Sequence, residues 1–267
     1  MDLQALELSI EGHRVEVSCL RRTGHRTPLV CLHGFGSTKE DYADLALHPA
    51  YAERDLVFFD APGFGASTVE APDALSIPFL VAVAVAVCDA LGIEQFHLSG
   101  HSMGGLTALL LASQCHGRVL SFIDIEGNVA PEDCFLSRQI IEHPSDSPEA
   151  FLRGFIDRVR ARPEYSSNLY AASLPLKVQE TSVRPIFESM VALSDHTPLM
   201  EIMAALELPR VFVYGAQNRT LSYLPELPEI GVETVEIPFS GHFPMYSNPP
   251  VLWQAMADFI DRAEASL

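Results

Sequence analysis

Cysteine and basic side chains are scarce in this 267-residue chain. Its five cysteines, at 19, 31, 88, 115 and 134, are odd in number and include no Cys-x-x-Cys pair. That argues against a disulfide framework and for a reducing compartment, so a cytoplasmic location is expected. Lysine and arginine total 17 against 35 aspartates and glutamates, a net charge of −18. Such a surface disfavours nucleic acid and anionic membranes as partners. No apolar run is long enough to cross a bilayer, which takes about 20 residues. The longest candidate, Ile77 to Cys88, ends at Asp89. The first residues, Met1-Asp2-Leu3-Gln4-Ala5, carry neither a basic nor an apolar leader region, so no export signal is expected. Internal repeats and low-complexity tracts are also missing.

What is present is a pattern of short apolar runs alternating with helical segments. Strands are expected at 5–10, 14–20, 28–32, 56–59, 95–99, 119–125, 210–214 and 233–237. After the first two, strand and helix alternate, which predicts an α/β fold: a mostly parallel eight-stranded sheet with helices on both faces. Ile77 to Cys88 is ambiguous, because Val81, Val83, Val85 and Val87 recur with period two, as in a strand. Pro78 suits a first helical turn and Leu91-Gly92 a helix end, so a buried helix is predicted. From 130 to 205 no convincing buried strand occurs, and helical patterns run over 149–160 and 183–193.

Gly100-His101-Ser102-Met103-Gly104-Gly105 joins a predicted strand to a predicted helix. A serine on so sharp a turn holds its hydroxyl above the sheet edge, which makes Ser102 a candidate nucleophile. The bare Gly-x-Ser-x-Gly pattern arises by chance in roughly one chain of this length in ten, so its neighbours matter. Upstream, Pro28 to Leu32 runs into His33-Gly34-Phe35-Gly36-Ser37, a flexible turn whose N–H groups can face a developing oxyanion. Downstream, Ser240-Gly241-His242-Phe243-Pro244 places a histidine on a loop between the last strand and a closing helix.

In that order the motifs resemble the α/β-hydrolase superfamily, with an oxyanion turn, a nucleophile elbow and a late histidine. Asp60-Ala61-Pro62-Gly63-Phe64-Gly65-Ala66-Ser67 is similar to the turn after that family's fourth strand. The likeness extends from about residue 28 to 255. It implies a core domain of residues 1–129 and 206–267 and a helical cap, or lid, inserted over 130–205. It also implies a serine hydrolase in which His242 is the base and the backbone N–H groups of Phe35 and Met103 form the oxyanion hole, their side chains flanking the acyl site. His33 and His101 are expected to brace loops. His97 and His101 stand four apart, but on a strand and an elbow rather than one helix, so no metal is expected. No cofactor is expected either.

The triad acid departs from the family's usual pattern. Where the family carries Gly-x-x-Asp, this chain has Gly215-Ala216-Gln217-Asn218, and asparagine supplies no negative charge. Glu126, at the end of the sixth expected strand, is the alternative. Some branches of the superfamily, certain dehalogenases and lactone hydrolases among them, carry their acid there. Asp124 shares the parity of Glu126 but lies deeper in the strand.

A serine at the elbow argues against the dehalogenases and epoxide hydrolases of the fold, which use aspartate. Hydrolysis of a carboxylic ester or lactone is expected first. A carbon–carbon bond hydrolase, or a non-catalytic receptor for a small ligand that retains the triad, stays open. Phe135, Phe151, Phe155, Tyr165, Tyr170, Phe187, Met190, Met200 and Met203 are core or pocket residues of the cap. If some face Ser102, the substrate is small and apolar. No basic cluster near the elbow suggests a phosphorylated or coenzyme A substrate, and a homo-oligomer is compatible with the sequence.

Overall fold

The computed structural model describes residues 1–266. Among these residues nine strands form one sheet: β1 (Asp2–Ile10), β2 (His13–Arg22), β3 (Arg26–Leu32), β4 (Arg54–Phe59), β5 (Thr68–Val69), β6 (Phe96–His101), β7 (Val119–Ile125), β8 (Arg210–Gly215) and β9 (Glu233–Ile237). Their order is β1-β2-β4-β3-β6-β7-β8-β9. β1 and β2 are antiparallel to their neighbours, and every pair from β4 through to β9 is parallel. The sheet thus has one strand more than expected. Thr68–Val69 extends the turn after β4 and pairs with Val15 and Glu16 of β2, a ladder too short to leave a periodic signal.

Among the described residues nine α-helices accompany the sheet: α1 (Ile77–Ala90), α2 (Met103–Gln114), α3 (Gln139–Glu142), α4 (Pro148–Arg160), α5 (Ser167–Lys177), α6 (Glu180–His196), α7 (Leu199–Ala205), α8 (Pro244–Ser247) and α9 (Pro249–Ser266). The ambiguous valine run is helix α1. Ser76 caps it by accepting from the Phe79 N–H at 3.2 Å. Its alternation misleads because α1 is buried on several sides, packing on β1, α2 and α6, so apolar residues occur all around it.

Strand parity assigns the two faces. Gly100 of β6 lies against the first turn of α2, whereas His97 reaches α9, where its Nε2 meets Glu264 Oε1 at 3.1 Å. α1 and α2 therefore cover one face and α9 the other. Between β7 and β8 the chain is helical, with a 3-10 turn at Pro131–Phe135 followed by α3 to α7. This segment is tied to the sheet near Gly63 and Gly65: Gly65 N donates to Lys177 O at 2.8 Å and Gln179 N to Gly63 O at 3.0 Å.

Because the strands from β4 to β9 are parallel, the turns after β3, β6, β7, β8 and β9 emerge at one edge. The chain reverses its direction of winding between β3 and β6, the kind of crevice where α/β sheets gather ligands.

Candidate active site

Ser102 occupies the turn from β6 to α2 with φ +51° and ψ −116°, a left-handed conformation that costs a non-glycine residue energy. The elbow is held by its own N–H, which donates to Ile125 O at 3.0 Å, and by close packing. A Cβ on Gly100 would run into the Gly104 carbonyl, and one on Gly104 into the Leu32 carbonyl. Glycine serves at both positions by its small size, while the strain falls on the serine itself.

His242, after β9, brings Nε2 to 3.0 Å from Ser102 Oγ. Its Nδ1 lies 3.3 Å from Glu126 Oε2. Glu126 follows β7 and is also left-handed, at φ +51°, with its N–H bound to Val213 O at 3.0 Å. Both residues that flank the histidine therefore sit in strained turns, held by hydrogen bonds to adjacent strands. The three side chains belong to residues less than a tenth exposed.

Asn218, at the position where the family carries aspartate, also enters this group. Its Nδ2 donates to Glu126 Oε2 at 2.7 Å, and Gly215 N–H donates to Oε1 at 2.6 Å. Burial pushes the Glu126 carboxyl up, to about 8, against the pull of these two donors. Both oxygens face N–H donors, which offset part of the burial, and a proton arriving on His242 would favour the ionised form further. Burial, assisted by the Arg162 cation and opposed by Glu164, pushes His242 down to about 3. The imidazole is therefore neutral at pH 7 and free to accept a proton at Nε2. Asp124 is buried, with Oδ1 accepting from Gly127 N at 2.8 Å, and takes no part in the His242 contacts.

The N–H groups of Phe35 and Met103 donate to no protein acceptor among the described residues. Met103 opens α2, so its amide adds the positive end of a helix dipole. The turn carrying Phe35 is braced on two sides. His33 Nε2 accepts from Ala61 N–H at 2.9 Å while its Nδ1 meets Gly34 O at 2.8 Å, and Tyr170 OH donates to Phe35 O at 2.8 Å. His101 donates from Nε2 to the His242 carbonyl at 2.7 Å, fixing the histidine loop. Burial keeps both brace histidines below the usual range, hence neutral. Sequence reasoning carried no signal for Tyr170 in this role, since its partner is 135 residues away.

Beside Ser102 lies a narrow cavity walled by Phe35, Tyr170, Phe187, Met190 and Phe243 and bounded by Phe135 and Leu136. The Phe135 ring meets the His242 ring edge to face at 5.0 Å. Beyond it a second small hollow contains Arg162, Glu164 and Tyr165. The two hollows share Phe135, Leu136, Tyr170, His242 and Phe243.

The expectation for Met103 requires correction. Its side chain lines a separate cavity with Leu32, His33 and Leu80, because the first turn of α2 directs it toward α1, whereas Phe35 alone reaches the Ser102 cavity. Phe151 and Phe155 are buried behind Phe187 and Phe35, and Met200 and Met203 lie away from the cavity, in or against the core. His97 is at the far edge of the sheet, bonded to Ser121 and Glu264. Among the described residues no group of three His, Cys, Asp or Glu side chains could hold a metal ion, and no helix is long and apolar enough to cross a membrane.

Comparison with known proteins agrees with this fold. An alpha/beta hydrolase family profile matches residues 29–255. The pimeloyl-[acyl-carrier protein] methyl ester esterase of Aeromonas hydrophila is 28% identical over 262 residues, covering 90% of this chain and 98% of that protein. A local match of 96 residues, 41% identical, to the dihydrolipoyllysine-residue acetyltransferase component of the acetoin cleaving system of Pseudomonas putida spans 36% of this chain and only 25% of that protein. Among solved structures, a thermophilic esterase from Thermogutta terrifontis superposes with a TM-score of 0.78 at 22% identity, covering 97% of this chain and 99% of that one. N-acyl homoserine lactonase AidH, complexed with N-butanoyl homoserine, superposes with a TM-score of 0.73 at 18% identity over 98% of this chain and 97% of its own. The family match covers all five turns that build the candidate site, and the chain belongs to the alpha/beta hydrolase family.

Proposed function

We propose that this protein is a serine hydrolase of carboxylic esters or lactones, with Ser102 as nucleophile, His242 as general base and acid, and Glu126 as the triad carboxylate. The observation that carries the reading is the chain of contacts from Ser102 Oγ to His242 Nε2, 3.0 Å, and from His242 Nδ1 to Glu126 Oε2, 3.3 Å, beneath a strained elbow. A hydroxyl is a weak nucleophile at neutral pH, and a neutral imidazole within hydrogen-bond reach supplies the base that it needs.

In the first half-reaction Ser102 Oγ bonds to the ester carbonyl carbon as its proton moves to His242 Nε2. The free N–H groups of Phe35 and Met103 stabilise the oxyanion. Glu126 stabilises the imidazolium, which then protonates the leaving alkoxide as the carbon–oxygen bond breaks. In the second half-reaction His242 takes a proton from water, whose oxygen adds to the acyl carbon. Return of the proton to Ser102 releases the carboxylic acid. With a lactone, both products remain one hydroxy acid.

The helical segment 130–205 acts in this reading as a cap whose aromatic side chains shape the acyl pocket, with the core domain formed by 1–129 and 206–267. Of four arginines on and just after α4, three are neutralised locally, Arg153 by Glu149, Arg160 by Asp157 and Arg162 by Glu164, and the fourth, Arg158, lies over Phe151 and bonds Gln139. That pairing supports a free small ester rather than an acyl group presented on an acidic carrier. The esterase and lactonase activities named for the relatives agree with the same class.

The test is an ester and lactone panel on the wild type and Ser102→Ala, with intact mass measured after fluorophosphonate treatment. Labelling of the wild type alone is expected, with turnover in Ser102→Ala reduced by several orders of magnitude, about 10⁶ where such a serine has been removed. Near wild-type turnover in the alanine variant overturns the assignment. Labelling without turnover of any ester or lactone points instead to a receptor.

A further inference from the structure

Apart from Ser102, His242 and Tyr170, whose hydroxyl is engaged with Phe35 O, the wall of the Ser102 cavity is aromatic and aliphatic except near the turn between the 3-10 segment Pro131–Phe135 and α3. Two polar residues reach the cavity there, Asp133 and Ser137. Asp133 is already engaged: Oδ2 accepts from Val129 and Ala130 N–H at 2.8 Å each, and Oδ1 from Tyr223 OH at 2.8 Å. Ser137 differs. It is 2% exposed, and its Oγ has no hydrogen-bond partner.

A serine near the start of a helix commonly caps it, although the N-cap position of α3 is held by Arg138. Ser137 does not do so. Its carbonyl accepts from Ile140 N at 3.1 Å, but its hydroxyl accepts from none of the first N–H groups of α3. Among the described residues, no other buried orphan polar atom belongs to a residue lining the Ser102 cavity. A buried hydroxyl without a partner is destabilising, and a well-formed apolar pocket with one convergent polar group has the character of a specificity site.

We propose that Ser137 is a specificity-determining residue, whose hydroxyl binds an oxygen carried along the acyl chain of the substrate. The inference rests on the ester-hydrolase reading above and narrows its substrate class. The preferred acyl group is mainly apolar, packing against Phe35, Phe187 and Met190, and bears a ketone, hydroxyl or amide oxygen beyond the scissile carbonyl. A plain alkanoyl chain would leave the hydroxyl unpaired, and sites built to pair a substrate polar group discriminate on that difference.

The experiment compares kcat/KM for p-nitrophenyl hexanoate with p-nitrophenyl 4-oxohexanoate and 5-oxohexanoate. The wild type is expected to prefer at least one oxo ester by about tenfold, as one neutral hydrogen bond allows. Ser137→Ala should lower turnover of that ester by about tenfold, leave hexanoate within twofold, and so erase the preference. Ser137→Cys keeps the volume with a weak hydrogen-bonding group, should behave like alanine, and serves if the alanine variant does not fold. Hexanoate turnover without an oxo preference, or an equal loss on both esters in either variant, overturns the role of Ser137 alone. No turnover of any ester by the wild type overturns the hydrolase reading instead.

Discussion

Asn218 Nδ2 donates to Oε2 of Glu126 at 2.7 Å, and His242 Nδ1 approaches the same oxygen at 3.3 Å. The residue at the family's usual acid position thus serves as a donor to the acid on the other strand. Asparagine suits that place because its amide solvates the carboxylate, whereas an aspartate there would oppose it. Asn218→Asp sets two carboxylates within contact, and like charges that close do not both ionise. The pair then holds a proton to higher pH. The expected outcome is at least a tenfold fall in kcat/KM at pH 7, with the acidic limb of the pH–rate profile moved upward. An unchanged profile would exclude contact between the two side chains.

Glu126→Gln keeps the shape and removes the charge that supports the imidazolium. Steady-state rates should fall by roughly 10² to 10⁴, as neutralising the acid does in other triads. Asn218→Ala should stay within about tenfold, because a neutral donor is lost. In the double variant Glu126→Gln, Asn218→Asp the later loop supplies a carboxylate, and part of the lost activity should return. A silent Glu126→Gln beside a severe Asn218→Ala would assign the histidine's support to Asn218.

Arg162 stacks over Phe135 at 5.0 Å, and Phe135 meets His242 at 5.0 Å. After burial, this cation is the main influence holding His242 down, and Glu164 opposes it. Glu126, Ser102, Asn218 and His101 complete the polar groups around the ring. Removing a positive charge raises the affinity of His242 for a proton, so Arg162→Gln should move the acidic limb of kcat/KM to higher pH. Glu164→Gln should move it to lower pH. Shifts in one direction for both variants would mean that packing of Phe135, rather than charge, is being changed.

Glu264 bears on stability at the opposite edge of the sheet. Burial alone would raise its carboxyl, but Arg54, Arg26 and His97 outweigh this and bring it down to about 2. A depressed carboxylate stabilises the folded state above its unfolded pKa of about 4.3, and the contribution is lost as pH falls toward 2. Glu264→Gln should therefore lower Tm at pH 7, leaving the fully buried Arg54 without its partner at 2.9 Å. The gap between variant and wild type should close between about pH 4 and pH 2. A gap independent of pH would place the effect in packing instead of charge.

Lys177, at the end of α5, binds Asp41 at 2.6 and 2.8 Å and Tyr246 OH at 3.1 Å, joining the proposed cap to the loop behind the oxyanion turn. Amides of residues 130–205 are expected to exchange faster than those of β3, β6 and β7, and to slow when an ester analogue binds. Lys177→Met should speed exchange at 174–182 without altering the sheet. Equal protection in cap and sheet, unchanged by ligand, would exclude a moving lid.

Much of this architecture was legible in the sequence because it depends on neighbours along the chain. β7 and β9 match the expected ranges residue for residue, and the elbow around Ser102 is a local strand–turn–helix pattern that glycines two residues to either side make compact. The helix at Ile77–Ala90 was harder, since a helix buried on several sides loses the periodicity that distinguishes it, and Pro78 in its first turn and Leu91-Gly92 at its end were the clues. The two-residue strand at Thr68–Val69 exists only through its pairing with β2.

By itself the sequence determined the order of the strands along the chain, the elbow and the residue types available for chemistry, because periodicity and turn-forming residues act over a few positions. Only the tertiary structure decided which of those residues meet. Asn218 touches Glu126 across 92 residues, and Tyr170 reaches Phe35 across 135. Met103 turns its side chain away from the cavity that Ser137 lines. Such contacts follow from strand order and from the direction each helix imposes on its side chains, and neither leaves a mark in local sequence.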